Sequence, residues 1–208
     1  MNLALFDFDG TITNQDTYTK FLLYATPKHR VIAALILAAP IIILYKLGLL
    51  KASRTRPALS RIVFWNRRES EILKSAKEFA THYLPSVIRE EALAKIEWHK
   101  ERGDEIYVVS ASLNSYLSFW CKAQGIKFIC SELELKDNKL TGRYVFGDCS
   151  LGNKVKGIKR TLDLSAFETI FAYGNTEEDM PMLALADEKY FRWQRISELA
   201  EPSAGLKN

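Results

Sequence analysis

The stretch Leu3-Ala4-Leu5-Phe6-Asp7-Phe8-Asp9-Gly10-Thr11 constrains this chain more than any other. A short apolar run bounded by a turn signal reads as a strand. One that is apolar at nearly every position reads as a parallel strand covered on both faces. Open α/β sheets hold their ligands at the carboxyl ends of such strands, and here that end carries two aspartates one residue apart. Two carboxylates so placed repel each other, and a hard cation such as Mg²⁺, which prefers carboxylate oxygen, relieves the repulsion. The bland alternative is a strand followed by an acidic turn.

The D-x-D-G-T pattern resembles the nucleophile motif of the haloacid dehalogenase (HAD) superfamily of phosphohydrolases. The resemblance implies that Asp7 attacks phosphorus and becomes an aspartyl phosphate. It implies that Asp9 protonates the leaving oxygen and later activates water, and that Thr11 belongs to the phosphate site. A carboxylate is a weak nucleophile, so a metal and fixed donors must neutralise the phosphoryl oxygens as it attacks.

Three further segments fall in the order that the family has. Ile106-Tyr-Val-Val109 reads as a second buried strand ending at Ser110. A serine hydroxyl there and the backbone N–H groups that follow, beginning with Ala111, can hold a phosphate, although serine at a strand end also serves as a cap. V-V-S-A-S is similar to the phosphoserine-phosphatase-like branch. Gly147 to Lys154, G-D-C-S-L-G-N-K, is a near miss for a nucleotide-binding P-loop, because Asn153 separates the second glycine from the lysine. By resemblance Lys154 instead neutralises the nucleophile and the phosphate; the alternative is a solvated helix lysine. Gly174-Asn-Thr-Glu-Glu-Asp179-Met-Pro-Met-Leu183 follows a third strand and resembles the family's G-D-x-x-x-D motif, with Asn175 in place of the first Asp. The resemblance makes Asp179 a metal ligand beside Asp7 and Asp9. Asn175 can supply a neutral oxygen at the cost of one formal charge.

The remaining elements complete an α/β pattern. A helix is expected over Leu113–Gln124, then a strand near Lys127–Cys130. A hairpin should pair Glu132–Leu135 with Leu140–Val145 through a turn at Asp137-Asn138. A final strand is expected over Glu188–Trp193, followed by a polar tail from Arg195 to Asn208. Between Ile12 and Arg102 the periodicity is helical, with breaks at Pro27, Pro85 and Gly103.

Charge is distributed unevenly. From Thr17 to Arg68 there is no acid among ten Lys and Arg, although the whole chain has 29 Lys and Arg against 25 Asp and Glu. Such a window points to an anionic partner (lipid, nucleic acid or phosphorylated substrate) or to a plain solvated face. Without aromatic interleaving or a recognised motif, no nucleic acid is expected. The window contains the apolar run Val31–Tyr45, bounded by Arg30 and Lys46 and interrupted by Pro40. A single span there would separate Asp7 from residues beyond 100 that belong to the same site. Two readings survive: the buried interior of a helical cap, or a Pro-broken hairpin over 31–50 dipping into one leaflet. The basic flanks favour the hairpin and hence an anionic membrane surface.

Cys121, Cys130 and Cys149 form no CxxC pair and no zinc spacing, so buried reduced thiols and a cytoplasmic location are expected. No basic leader with an apolar core and cleavage site opens the chain, so no secretory signal is expected. The expected architecture is α/β, a doubly wound (Rossmann-like) parallel sheet core from 1–12 and 87–208 with an inserted helical cap over 13–86. The expected activity is Mg²⁺-dependent hydrolysis of a phosphomonoester at the inner membrane face. The cap is similar to that of the phosphatidylglycerophosphate phosphatase branch, which points to a lipid phosphate. The alternatives are a small-molecule phosphatase, for phosphoserine or similar, and a membrane-bound interaction protein with a degenerate site. The sequence does not set the oligomeric state.

Overall fold

The computed structural model describes residues 1–197. The expected polar tail lies outside the described residues beyond that point. Its first residues instead form a short strand.

The sheet is built around the opening motif. β1 (Leu3–Phe6) is fully buried and pairs in parallel with β3 (Glu105–Leu113) on one side and β7 (Ile170–Gly174) on the other. With β4 (Lys127–Ser131), β8 (Glu188–Phe191) and the antiparallel β9 (Gln194–Ile196), the order is β4-β3-β1-β7-β8-β9. The strand order reverses between β1 and β7, so the crevice beyond their carboxyl ends is the place where a doubly wound sheet receives a ligand. Two apolar layers close on this sheet. Leu3, Leu5, Tyr107 and Val109 point to one, while Ala4, Phe6, Ile106 and Val108 point to the other, as strand alternation requires.

A wide helical turn over Phe8–Ile12 leaves β1 and leads to α1 (Thr17–Ala25), whose first turn is capped by Asp16. Next come α2 (Lys28–Lys46) and α3 (Ala52–Phe64), packed against each other, and the two-residue strand β2 (Arg67–Arg68). α4 (Glu69–Glu78) follows, its Ile72 and Ala76 joining Phe6 and Phe8 in one core cluster. α5 (Glu90–Glu101) then leads into β3, starting later than Ser86 because Leu84–Ser86 closes as a separate tight turn. α6 (Asn114–Gln124) connects β3 to β4. β5 (Leu133–Lys136) and β6 (Lys139–Tyr144) form the expected hairpin, with Asp137 and Asn138 both left-handed as a two-residue turn demands. α7 (Gly152–Thr161) and the short α8 (Met180–Leu183) flank β7.

The run at 31–50 differs from both readings of the sequence. α2 continues through Pro40 without ending, and the chain reverses only after Lys46, where α3 supplies the second arm. A proline inside a helix removes one N–H, but Ala38 and Ala39 before it and the aliphatic residues around it favour helix enough to carry the element on. Nor is α2 the interior of a cap, since Ala38 is its one buried residue. β2 pairs with β6, so the exit from the helical excursion is stitched to the β5–β6 hairpin. Arg67 there is buried and donates from Nη1 to the Ala25 carbonyl at the end of α1, 2.6 Å away.

Candidate active site

Three of the expected residues meet where β1, β3, α7 and the segment after β7 converge. Asp7 directly follows β1, its N–H continuing the ladder to Tyr173 O at 2.9 Å. Lys154, in the first turn of α7, reaches back beneath it. Its ammonium donates to Asp7 Oδ1 (2.6 Å), Asp179 Oδ1 (2.7 Å) and the Val109 carbonyl (2.7 Å), and it is 1% exposed. A solvated lysine is therefore excluded. Burial works against its charge, but the two carboxylates outweigh that and hold it protonated.

The two carboxylates that share this lysine are driven apart. Burial raises Asp7, Asp179 raises it further, and the lysine only partly compensates, which leaves Asp7 at about 7. Asp179 is also buried, yet Lys154 and the backbone N–H groups of Asn175 and Thr176 hold it below the usual carboxylate range. Its Oδ2 accepts from Asn175 N, Thr176 N and Thr176 Oγ1 at 3.0–3.1 Å. Gly174 is required next to it, because a Cβ there would lie 2.5 Å from Asp179 Cβ. Asp179 thus has Oδ1 on the lysine and Oδ2 on three donors. These contacts make Asp179 an anchor for Lys154 and the Asn175 segment.

Asp9 has its own set of donors. Its Oδ1 accepts from Thr17 N (2.8 Å) and Thr17 Oγ1 (2.5 Å), and its Oδ2 from Ser112 Oγ (2.5 Å). The Tyr116 hydroxyl supports the arrangement by donating to Ser112 Oγ at 2.6 Å. The side chain thus faces Thr17 and Ser112. Burial raises its carboxyl despite these bonds, which suits a group that must carry a proton. Thr17, Ser112 and Tyr116 were not found from the sequence. The second serine of V-V-S-A-S was the one available signal.

Ser110 and Ala111 line the same cleft as Asp7, Asp9, Lys154 and Asp179. Ser110 sits inside β3 rather than ending it, at a register irregularity against β4, and its Oγ accepts from Ser112 N at 3.0 Å. Thr11 is not on the cleft wall. Its hydroxyl lies 3.2 Å from Asp7 Oδ2 and 3.1 Å from Asn175 Oδ1, so it brings those two oxygens together. Gly10, at φ 84°, makes this approach feasible, because a Cβ would fall 2.2 Å from Asn175 Nδ2.

Asp7 and Asp179 share one ammonium while Asp9 lines the same cleft, and three carboxylates against one cation suit a hard divalent ion. Asp7 Oδ2 and Asn175 Oδ1 are the oxygens that would hold it. Among the described residues there is no group of three or more His, Cys, Asp or Glu placed to hold a metal ion.

The cleft has a volume of about 580 Å³, and its roof is the helical excursion. Ile42, Tyr45 and Lys46 of α2 and Thr55, Arg56 and Leu59 of α3 line it. Arg56 crosses to the core, donating to Asp148 Oδ2 (2.9 Å) and Glu178 Oε2 (2.8 Å).

A profile of the haloacid dehalogenase-like hydrolases matches residues 4–184. The chain belongs to that family. It is an enzyme, a hydrolase of the phosphatase type. Protein CicA of Caulobacter vibrioides is 28% identical over 200 residues, covering 91% of this chain and 85% of that protein. Solved structures share the fold. A Bordetella pertussis Tohama I protein of unknown function has a TM-score of 0.79 at 21% identity, covering 91% of this chain and 89% of its own. A substrate-bound phosphoserine phosphatase has a TM-score of 0.64 at 19% identity, covering 91% and 85%. The resemblance seen in the opening motif therefore extends over most of the chain.

Proposed function

We propose that this HAD-type hydrolase is a Mg²⁺-dependent phosphomonoesterase for a small-molecule phosphate of the phosphoserine kind. The observation that carries the reading is the buried ammonium of Lys154 shared by Asp7 and Asp179 at the closed end of the cleft. Asp7 attacks phosphorus, and the leaving alkoxide takes the proton held by Asp9. Asp9 then removes a proton from the water that cleaves the acyl phosphate. Thr17 and Ser112 orient Asp9 for both transfers, and Lys154 keeps a positive charge beside the attacking carboxylate. Ser110 Oγ and the Ala111 N–H are placed on the cleft wall to receive phosphoryl oxygens. Bound Mg²⁺, held by Asp7 and Asn175, would neutralise charge on the transferring group.

The similarity to phosphoserine phosphatases in fold supports a small substrate. A second reading, a lipid phosphate such as phosphatidylglycerophosphate turned over by a cytoplasmic protein at the inner membrane face, is favoured by one feature. α2 lends the apolar side chains of Ile42 and Tyr45 to the cleft wall. Phosphate release from phosphoserine, sugar phosphates and lipid phosphates, with Asp7→Asn as control, decides between them. Equal turnover by the Asp7→Asn protein, or in excess chelator, would overturn the assignment.

A further inference from the structure

We propose that α2 and the turn after it form a docking surface for an anionic phospholipid bilayer, whichever phosphate ester the cleft hydrolyses. α2 is apolar on every face, with mean hydropathy 1.7 over its most apolar window, of which 6% is buried. A helix apolar all round belongs in a protein core or in lipid, and this one is not in the core. Ile32, Leu35, Ile36, Leu37, Ile43 and Leu44 are 43–73% exposed. The turn to α3 continues the surface. Leu47 and Leu49 flank Gly48 and are 66% and 72% exposed, where a water-facing turn would carry polar residues.

Charge names the occupant. Lys28 and Arg30 stand at the start of α2, and Lys46, Lys51 and Arg54 at and beyond its end, in a window that contains no acid. Basic residues bracketing an apolar surface match anionic headgroups around acyl chains. They also disfavour a second copy of the same chain, which would bring like charges together.

Topology sets the depth. Nineteen helical residues rise about 28 Å, close to the ~30 Å of hydrocarbon. Yet β1 before α2 is bonded to β3 and β7 after it, so a single crossing cannot occur. α3 cannot return across the bilayer, because its thirteen residues include Arg54, Arg56 and Arg61. α2 therefore lies within one leaflet. Because Ile42, Tyr45 and Lys46 also line the cleft, docking puts the cleft beside the headgroups.

The full chain should float on a density gradient with phosphatidylglycerol/phosphatidylcholine vesicles, and less with phosphatidylcholine alone or in raised salt. Ile32→Glu/Ile36→Glu should cut vesicle partitioning by more than about tenfold. Lys28→Glu/Arg30→Glu should cut it by about thirtyfold on the anionic vesicles. Both variants should keep hydrolysis of a soluble aryl phosphate, which certifies the fold, and Asp7→Asn should still float. Wild-type protein that stays unbound to both vesicle types while hydrolysing the soluble ester would overturn the docking surface and leave the phosphatase reading intact. A dimer that Ile32→Glu/Ile36→Glu converts to monomer, without vesicle binding, would overturn it in favour of self-association.

Discussion

Replacing Lys154 by Met keeps the stem and removes the charge that two buried carboxylates share. Its ammonium makes three contacts of 2.6–2.7 Å, and the Asp7 and Asp179 side chains are 9% and 2% exposed, so water cannot take its place cheaply. Deleting one partner of a buried pair costs about 3–5 kcal/mol. Here two anions lose their counter-charge together, so the upper part of that range applies in chelator. That is a third or more of a typical domain stability of about 5–15 kcal/mol. Asp7, already at about 7, rises further without the lysine, so the penalty should be smaller at acidic pH and grow as pH rises and the carboxyl ionises. Mg²⁺ should recover part of the loss. Turnover should fall about 10²–10³-fold, the scale of deleting one preorganised donor at a developing charge. Urea unfolding in chelator and in Mg²⁺, read beside aryl phosphate hydrolysis, measures both effects. Adding Asp179→Asn to the variant should restore about 1–3 kcal/mol by removing one of the stranded charges. Equal stability of Lys154→Met and wild type in chelator, or no recovery in the double variant, would refute the shared-charge account.

Three other outcomes follow from the geometry. Asn175→Asp adds a carboxylate beside Asp7 and should lower the half-saturating Mg²⁺ concentration about several-fold, as ligand charge does at oxygen sites; a metal titration of activity reads this directly. Arg56→Gln removes the partner of Asp148, which is 2% exposed and has Oδ1 unpaired, so the urea midpoint should drop by the equivalent of about 2 kcal/mol, and Asp148→Asn should recover most of it. His99 is buried between Asp104 (2.8 Å) and the Tyr173 hydroxyl (2.9 Å), and burial lowers its pKa below 6.5 despite the aspartate. The unfolded chain then takes up more protons as pH falls through 6.5. Stability should be full above that value and decline below it, and His99→Gln should flatten the slope in a pH series of melting curves.

The parts of this site that could be read from sequence were those whose chemistry and position in a local pattern coincide. Asp7 at the end of an apolar run, Lys154 at a helix start and Asp179 before Pro-Met-Leu are of that kind, and all three meet. What could not be read was division of labour. Nothing local says that Asp179 spends both oxygens on Lys154 and the Asn175 segment, or that Asp9 turns to Ser112, 103 residues away. Thr11 shows the same limit. Its motif position is clear, but its partner Asn175 arrives from the end of the neighbouring strand β7, 164 residues on. In the fold, the parallel strands and the Asp137-Asn138 turn followed from local rules. The course of α2 did not, because Pro40 is a breaker by propensity and an apolar run is a core element by habit. Neither rule applies when a helix is supported along one side and bare on the others.

The buried guanidinium of Arg67, bonded to the last turn of α1, brings the entry and exit of the α2–α3 excursion to one point. A segment whose two ends already meet behaves as a cassette. It can be lengthened, shortened or exchanged for another without changing the distance between α1 and α4, and so without disturbing the carboxylates below. In such a design the choice of substrate and the place of work can diverge among relatives while the phosphoryl chemistry stays as it was. The Arg56 contacts to Asp148 and Glu178, and the Ser60 hydroxyl on Tyr144, are among the connections that a new cassette would have to supply again.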